Sequence, residues 1–400
     1  MARGAGTMTE RPVGSGAWRL RVYAGRDPLT DNPIQVQRTF RGTETGARKA
    51  LAKLVTDVEE GKFDRTKVTV SELLDRWLAH IEAIGKARPK TVYEYKRKID
   101  GRIRPALGET RLTRLEPDTL DAWYQQWLSE GLSPSTVHVY HAILSAACRQ
   151  AVKWGWLDRA PTDRATAPTP RSPSMRIPTP EQLSTIMAAA DASDPVLAVA
   201  IALAALTGAR RGELAALRWC DVDLEAGMIR IERALTVVGG ASHVGPTKTH
   251  QVRRLALDET GIDTLRRHWT FVMERSALVE SPLIDDPYIL SYQAHCGTPV
   301  SPDTLTHRFK AICTRLEASV KRRTKDERRH LSPDERWDFH FHGLRHFSVT
   351  TLLAAGVDIR TVAERHGHAQ ATMTLNRYAH ALPERDRVAA GVLGKAVSRT

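Results

Sequence analysis

The sequence predicts a multidomain, mainly α-helical chain. Its parts are a small N-terminal α+β unit of sheet plus helix, an all-α four-helix unit, and a mixed, mainly α unit with a small antiparallel sheet. Three observations carry that expectation. Residues 18–23, and again residues 34–40, alternate apolar and polar side chains with the two-residue period of strands. Residues 69–157 repeat apolar side chains at three and four, the period of packed helices. Pro161, Pro168, Pro170, Pro173, Pro178 and Pro180 then set the helical unit apart from the C-terminal half of the chain.

With 400 residues the chain can bury a separate core in each unit. Hydrophobic residues make up 42% and charged residues 26%, the mix of an ordered protein and not of a disordered one. A net charge of +13 favours a polyanionic partner, because neutralising phosphates releases their counterions. The alternative reading of the charge is a basic proteome or a ribosome-adjacent protein, which it favours less than a nucleic-acid partner. Cys148, Cys220, Cys296 and Cys313 are too scattered for a zinc clip and too few for a disulfide scaffold, so reduced thiols are expected. The longest apolar run, Val196 to Leu206, is too short to span a bilayer and predicts a buried helix. The first ten residues hold no signal-peptide core. A cytoplasmic protein without a membrane partner is the expectation.

In the first unit, residues 1–64, Trp18, Leu20 and Val22 alternate with Arg19, Arg21 and Tyr23, and residues 34–40 alternate again. A helix over residues 45–60 carries Ala47, Ala50, Leu51, Leu54 and Val58 on its inner side. The open sheet face, bearing Arg19 and Arg21, suits either a DNA groove or plain solvent. The second unit, residues 65–160, begins at a capping box, Thr69-Val-Ser-Glu72, ahead of Leu73, Leu74, Trp77, Leu78 and Ile81. A second helix spans residues 90–99. Its Lys96, Arg97 and Lys98, with Arg102 just beyond, are candidates for phosphate contact. Pro117 starts a third helix with Trp123 and Trp127. Ser133-Pro134 starts a fourth, where Val137, Tyr140, Leu144, Ala147, Ala151 and Trp154 recur at helical spacing. Core packing accounts for these aromatics better than base stacking does.

Residues 161–178 read as a proline-rich linker, an extended spacer and not a packed element. The third unit, residues 179–400, is mostly helical. Thr179-Pro180 opens one helix and Pro195 precedes the apolar one. Residues 228–233 and 252–257 predict two strands, with Lys248 in the turn between them. The charged stretch 318–338 reads as a solvated loop or helix extension.

This third unit also holds the reactive side chains: Thr207-Gly-Ala-Arg210-Arg-Gly-Glu213-Leu, Lys248, His342-Gly-Leu-Arg345, Gly367-His368 and Tyr378. Two arginines can each grip phosphate oxygens with a planar fork that does not lose its charge. A tyrosine needs help to attack at neutral pH, since its phenol ordinarily titrates at about 10. A lysine or histidine can protonate a leaving oxygen. Each motif alone is common: His-x-x-Arg can be a surface pair, Thr-Gly can cap a helix, and one tyrosine can be core. Their order and combination are what point to phosphodiester chemistry. Arg211 stands beside Arg210 as the neighbouring alternative. His340, His342, His346, His366 and His368 cluster in sequence, yet no cysteine or carboxylate completes a familiar zinc spacing, so neither metal nor cofactor is expected.

Together these boxes resemble the active site of the tyrosine recombinase (phage integrase) family. The Thr207–Trp219 segment is similar to its first box, where the spacing from Thr-Gly matches Arg210 and not Arg211 to the family's first arginine, and Pro246-Thr-Lys248-Thr is similar to its lysine hairpin. His342-Gly-Leu-Arg345-His346 is similar to its second box, and Gly367-His368 and Tyr378 to its late histidine and nucleophile. The resemblance implies that Tyr378 forms a 3′-phosphotyrosyl link to DNA while Arg210, Arg345 and His368 stabilise the transition state. Lys248 would protonate the leaving 5′ oxygen, His342 would assist as base, and Glu213 would support the region of Arg210.

The same resemblance implies an arm-type DNA-binding domain over 1–64, a helical core-binding domain over 65–160 and a catalytic domain over 179–400. Such a protein works on double-stranded attachment sites as a homotetramer, without metal or ATP, and with an accessory directionality or DNA-bending factor as a further partner. The alternatives are a chromosome-dimer resolvase, a type IB topoisomerase-like enzyme, and a DNA-binding regulator without catalysis. Two positions depart from the family's commonest pattern. His366 stands where leucine is usual and reads as a solvated neighbour without a role. The step from His368 to Tyr378 is one residue longer than usual.

Overall fold

The computed structural model describes residues 6–26, 32–59, 68–170, 176–249, 251–323 and 335–367. The chain divides into two compact units, Met1–Pro173 and Ser174–Thr400. In the first unit β1 (Gly6–Glu10), β2 (Ala17–Arg26) and β3 (Pro33–Arg41) form an antiparallel sheet in that order. Alternation divides its faces. Leu20, Val22 and Ala24 are buried with Ala47, Leu54 and Val58 of α1 (Glu44–Glu59). On the other face Arg19 lies in register with Thr9 and Thr39, and Arg21 with Thr7 and Gln37. Both arginines are exposed, and their cross-strand neighbours are uncharged.

A separate core unites α2 (Val70–Ala83), α3 (Pro89–Lys98), α4 (Arg104–Leu107), α5 (Pro117–Ser129) and α6 (Pro134–Lys153). The capping box closes as its residues predict: Glu72 N donates to Thr69 Oγ1 at 3.3 Å and Thr69 N donates to Glu72 Oε2 at 2.8 Å. A π-helical turn, Ile99–Ile103, joins α3 to α4. Pro105 lacks an N–H and its ring crowds the carbonyl four residues back, and the wider turn relieves both. Trp127 is fully buried and meets Tyr140 edge to face at 5.2 Å, so this tryptophan is core. In the basic cluster Lys98 and Arg97 reach Glu94 at 3.3 and 3.7 Å, and Arg102 reaches Glu130 at 2.7 Å. Exposed pairs of this kind contribute about 0–1 kcal/mol, so a phosphate can displace them.

The proline-rich stretch departs from the expected free spacer in its first part. Pro161 and Thr162 are buried in a 3-10 turn beside α6. Arg149 bonds Asp163 at 2.9 Å, Thr166 N donates to Asp121 Oδ1 at 2.6 Å, and His138 Nδ1 meets Pro168 O at 3.1 Å. Prolines stiffen an extended chain, but nothing in that composition prevents its carbonyls and side chains from lying down on neighbouring helices.

The second unit is built around α8 (Pro195–Thr207), buried on almost every side, as its uninterrupted apolar run requires. α7 (Pro180–Asp191), α10 (Glu259–Leu278), α11 (Pro302–Arg323) and α12 (Gly343–Ala354) pack against it. The two expected strands are β5 (Met228–Ile231) and β8 (Arg253–Ala256), which pair antiparallel to each other, and β4 (Val222–Asp223) pairs with the other edge of β5. One turn does not join them. A second hairpin, β6 (Arg233–Val238) and β7 (Ala241–Pro246), stands between, and Lys248 follows β7. The expected single strand over 228–233 therefore breaks at Glu232, where pairing passes from one sheet to the other. Among the described residues no helix is long and apolar enough to cross a membrane.

Candidate active site

At the end of α8 the chain turns through Gly208 into Arg210, the N-cap of the short helix α9 (Arg211–Ala215). Thr207 Oγ1 donates to Leu203 O at 2.5 Å and accepts from Ala209 N at 3.1 Å, which holds the turn from inside. Gly208 has φ +61°, and a Cβ there would lie 2.2 Å from the His366 ring. A Cβ on Gly212 would lie 2.6 Å from Leu235 O of β6. The two glycines thus let His366 and the β6–β7 hairpin close on either side of the arginine.

Arg210 is held by its own helix and by a distant loop. Its N–H donates to Glu213 Oε2 at 2.9 Å, its Nη1 to Glu213 Oε1 at 2.8 Å, and its Nη2 to Gly367 O at 3.2 Å. Arg211 departs in another direction, to Thr306 at 2.9 Å and Asp303 at 2.8 Å on α11. The two neighbouring arginines thus reach different partners. Arg345, on α12, is 4% exposed. Its Nη1 donates to Gly208 O and its Nη2 to His366 O, each at 2.5 Å. His342, the N-cap of α12, is exposed and meets the buried His346 edge to face at 5.0 Å.

His366 is not a solvated neighbour. It is the last residue of α13 (Ile359–His366), fully buried, with Nδ1 against Val362 O at 2.8 Å. Burial follows from the glycine opposite: the ring fills the space that a side chain at position 208 would need. Its carbonyl also receives Arg253 Nη1 at 3.2 Å. Arg253 escaped the sequence reading. The signal was there, because Arg253 shares the inward strand face with Leu255 while Arg254 and Ala256 face out.

Arg253 Nη2 reaches Glu213 Oε2 at 2.6 Å, with both side chains almost entirely buried. Burial works to raise the Glu213 pKa, but the Arg253 charge, the Arg210 N–H and the Arg210 charge together hold it below the ordinary carboxylate value. A depressed carboxylate contributes stability above its unfolded pKa and loses it as pH falls through the folded one. Glu213→Gln should therefore flatten this part of the acid limb below about pH 5 in a stability–pH curve. At neutral pH it should cost about 3–5 kcal/mol, because the Arg253 charge is left buried. An unchanged acid limb in thermal melts would contradict the assignment.

Lys248 is exposed on the turn after β7, and the hairpin that carries it is seated on α9 through Leu235, Ala215 and Ala216. The structure thus joins Arg210, Glu213, Arg345 and the Gly367 backbone, and ties the lysine hairpin to the same short helix. His368 and Tyr378 lie outside the described residues. Among the described residues no three His, Cys, Asp or Glu side chains gather as metal ligands would.

A model of the phage integrase family matches residues 177–385, and one of the phage integrase N-terminal SAM-like domain matches residues 69–128. An integrase of Saccharopolyspora erythraea is 30% identical, over 77% of this chain and 79% of its own. A solved structure of the Tn1549 transposon integrase in complex with a circular intermediate DNA is similar at a TM-score of 0.63 and 21% identity, over 82% of this chain and 99% of that one. A lambda integrase tetramer bound to a Holliday junction is similar at a TM-score of 0.57 and 20% identity, over 92% of this chain and 96% of that one. The mainly helical fold with small antiparallel sheets is common to them.

Proposed function

This chain belongs to the phage integrase family, and on that premise we infer that it is a tyrosine site-specific recombinase of a mobile element, cutting and rejoining duplex DNA. The convergence of Arg210 and Arg345 on the carbonyls of Gly208, His366 and Gly367 carries the reading. Two of those carbonyls, His366 and Gly367, lie directly before His368 in the chain, and each draws one of the two permanent cations.

In this reading Tyr378 attacks the scissile phosphate and forms a 3′-phosphotyrosyl link. Arg210, Arg345 and His368 stabilise the charged transition state, where preorganised donors act most strongly. Lys248 protonates the departing 5′ oxygen and His342 assists as base. The 5′ hydroxyl of another strand reverses the step. The covalent link conserves the bond energy, so neither ATP nor a metal is required. Two duplexes need four cleavages, which favours a homotetramer on paired attachment sites, working in the cytoplasm at the nucleoid with a directionality or DNA-bending factor.

Residues 1–64 serve as the arm-binding domain, 65–160 as the core-binding domain and 179–400 as the catalytic domain, with 161–178 connecting them. Arg19 and Arg21 on the open sheet face suit arm DNA, and Lys96, Arg97, Lys98 and Arg102 suit core-site phosphates. Full-length protein incubated with a nicked duplex of the element's own junction should yield an SDS-resistant protein–DNA adduct. Noncovalent binding alone would leave a regulator in its place. Deleting residues 1–64 should weaken binding to distal arm sites and spare the crossover core in gel shifts. Equal loss at both would remove the arm assignment.

A further inference from the structure

Arg253 is 6% exposed, carries a permanent charge, and takes no part in the chemistry above. It stands between the two halves of the arginine cluster. One nitrogen, Nη2, donates to Glu213 Oε2 at 2.6 Å, and the other, Nη1, donates to His366 O at 3.2 Å. Glu213 in turn takes Arg210 Nη1 at 2.8 Å. The Gly367 backbone passes directly under the Arg253 guanidinium, since a Cβ at Gly367 would lie 1.9 Å from Nη1. Gly367 also has φ +62°, and its carbonyl takes Arg210 Nη2 at 3.2 Å.

Buried ion pairs such as this one add little net stability against apolar packing, because both charges lose their water. What they hold well is geometry. Without a second cation, the Glu213 carboxylate would have only Arg210 to balance it, and would compete with any phosphate for that guanidinium. Arg253 neutralises Glu213 at Oε2, while the Arg210 guanidinium takes the other carboxylate oxygen, Oε1. It leaves Glu213 able to aim Arg210 without monopolising it.

We propose that Arg253 is a positioning residue for DNA cleavage. Through Glu213 it fixes the Arg210 guanidinium, and through the His366 carbonyl it fixes the backbone that enters His368. The proposal rests on the integrase reading and deepens it.

The test is single-turnover adduct formation by full-length protein, at saturating concentration, on the nicked junction duplex. Arg253→Gln should slow adduct formation by about 10²-fold, the scale of a small misplacement of reacting groups, while duplex affinity in a gel shift stays within about twofold. Adding Glu213→Gln to Arg253→Gln should cost less than the product of the two single effects, because both residues act on the Arg210 guanidinium. A wild-type cleavage rate in folded Arg253→Gln, or costs that multiply in the double variant, would overturn the role. If Arg253→Gln is not recovered folded, Arg253→Lys is read the same way. It keeps the charge opposite Glu213, loses the second hydrogen bond, and should slow the reaction about tenfold, one such bond's worth; a wild-type rate there sinks the proposal. Failure of the unaltered protein to form any adduct would instead remove the integrase reading, and this proposal with it.

Discussion

Tyr378→Phe is expected to abolish the covalent protein–DNA adduct while leaving duplex binding intact. Phenylalanine keeps the ring and removes only the attacking oxygen, so packing and charge are unchanged. Losing a covalent nucleophile typically costs at least about 10⁴-fold in rate, which takes the adduct below detection on a gel. The nicked junction duplex and SDS electrophoresis measure it, and gel shifts in parallel report binding. An adduct that survives in Tyr378→Phe would show that another group attacks, and the nucleophile assignment would fail. The prediction stands on the order of motifs alone: a tyrosine placed after His342, Arg345 and His368 in the chain.

Arg345→Ala is expected to lose on two counts. Its guanidinium satisfies Gly208 O and His366 O, each at 2.5 Å, inside the second unit. Removing it leaves the buried Gly208 carbonyl without that donor, at about 1–3 kcal/mol, while His366 O keeps Arg253; a thermal melt would register the loss. It also removes a permanent cation from the developing phosphate charge, worth about 10²–10³-fold in cleavage. Arg345→Lys separates the two effects. Lysine keeps the charge but lacks the planar fork that spans two carbonyls, so its melting point should fall as well. Cleavage near the wild-type rate in folded Arg345→Ala would remove Arg345 from the catalytic set.

Much of the fold was legible because helices and strands depend on near neighbours. The Thr69–Glu72 capping box, the Pro117 and Pro134 helix starts and the apolar run of α8 are all local, and all form as their spacing predicts. The alternation of Leu20 and Val22 with Arg19 and Arg21 likewise decides which strand face is buried. The β6–β7 hairpin was less legible. Its residues 233–246 have no strong alternation, although the Gly239-Gly240 turn that closes it, both glycines at positive φ, is a local hairpin signal.

The candidate site divides along the same line. Sequence alone chose Arg210 over Arg211, joined His342 to Arg345 at one helical turn, and placed His368 and Tyr378 after them, since motif order and helical spacing are properties of the chain. Only the tertiary structure showed that His366 is a buried wall of the site and that Arg253 is its hidden charge. Arg345 meets Gly208 across 137 residues of chain and Arg253 meets His366 across 113. Contacts over such distances are set by how α12, α13 and β8 pack around the end of α8, and no local pattern of side chains encodes them.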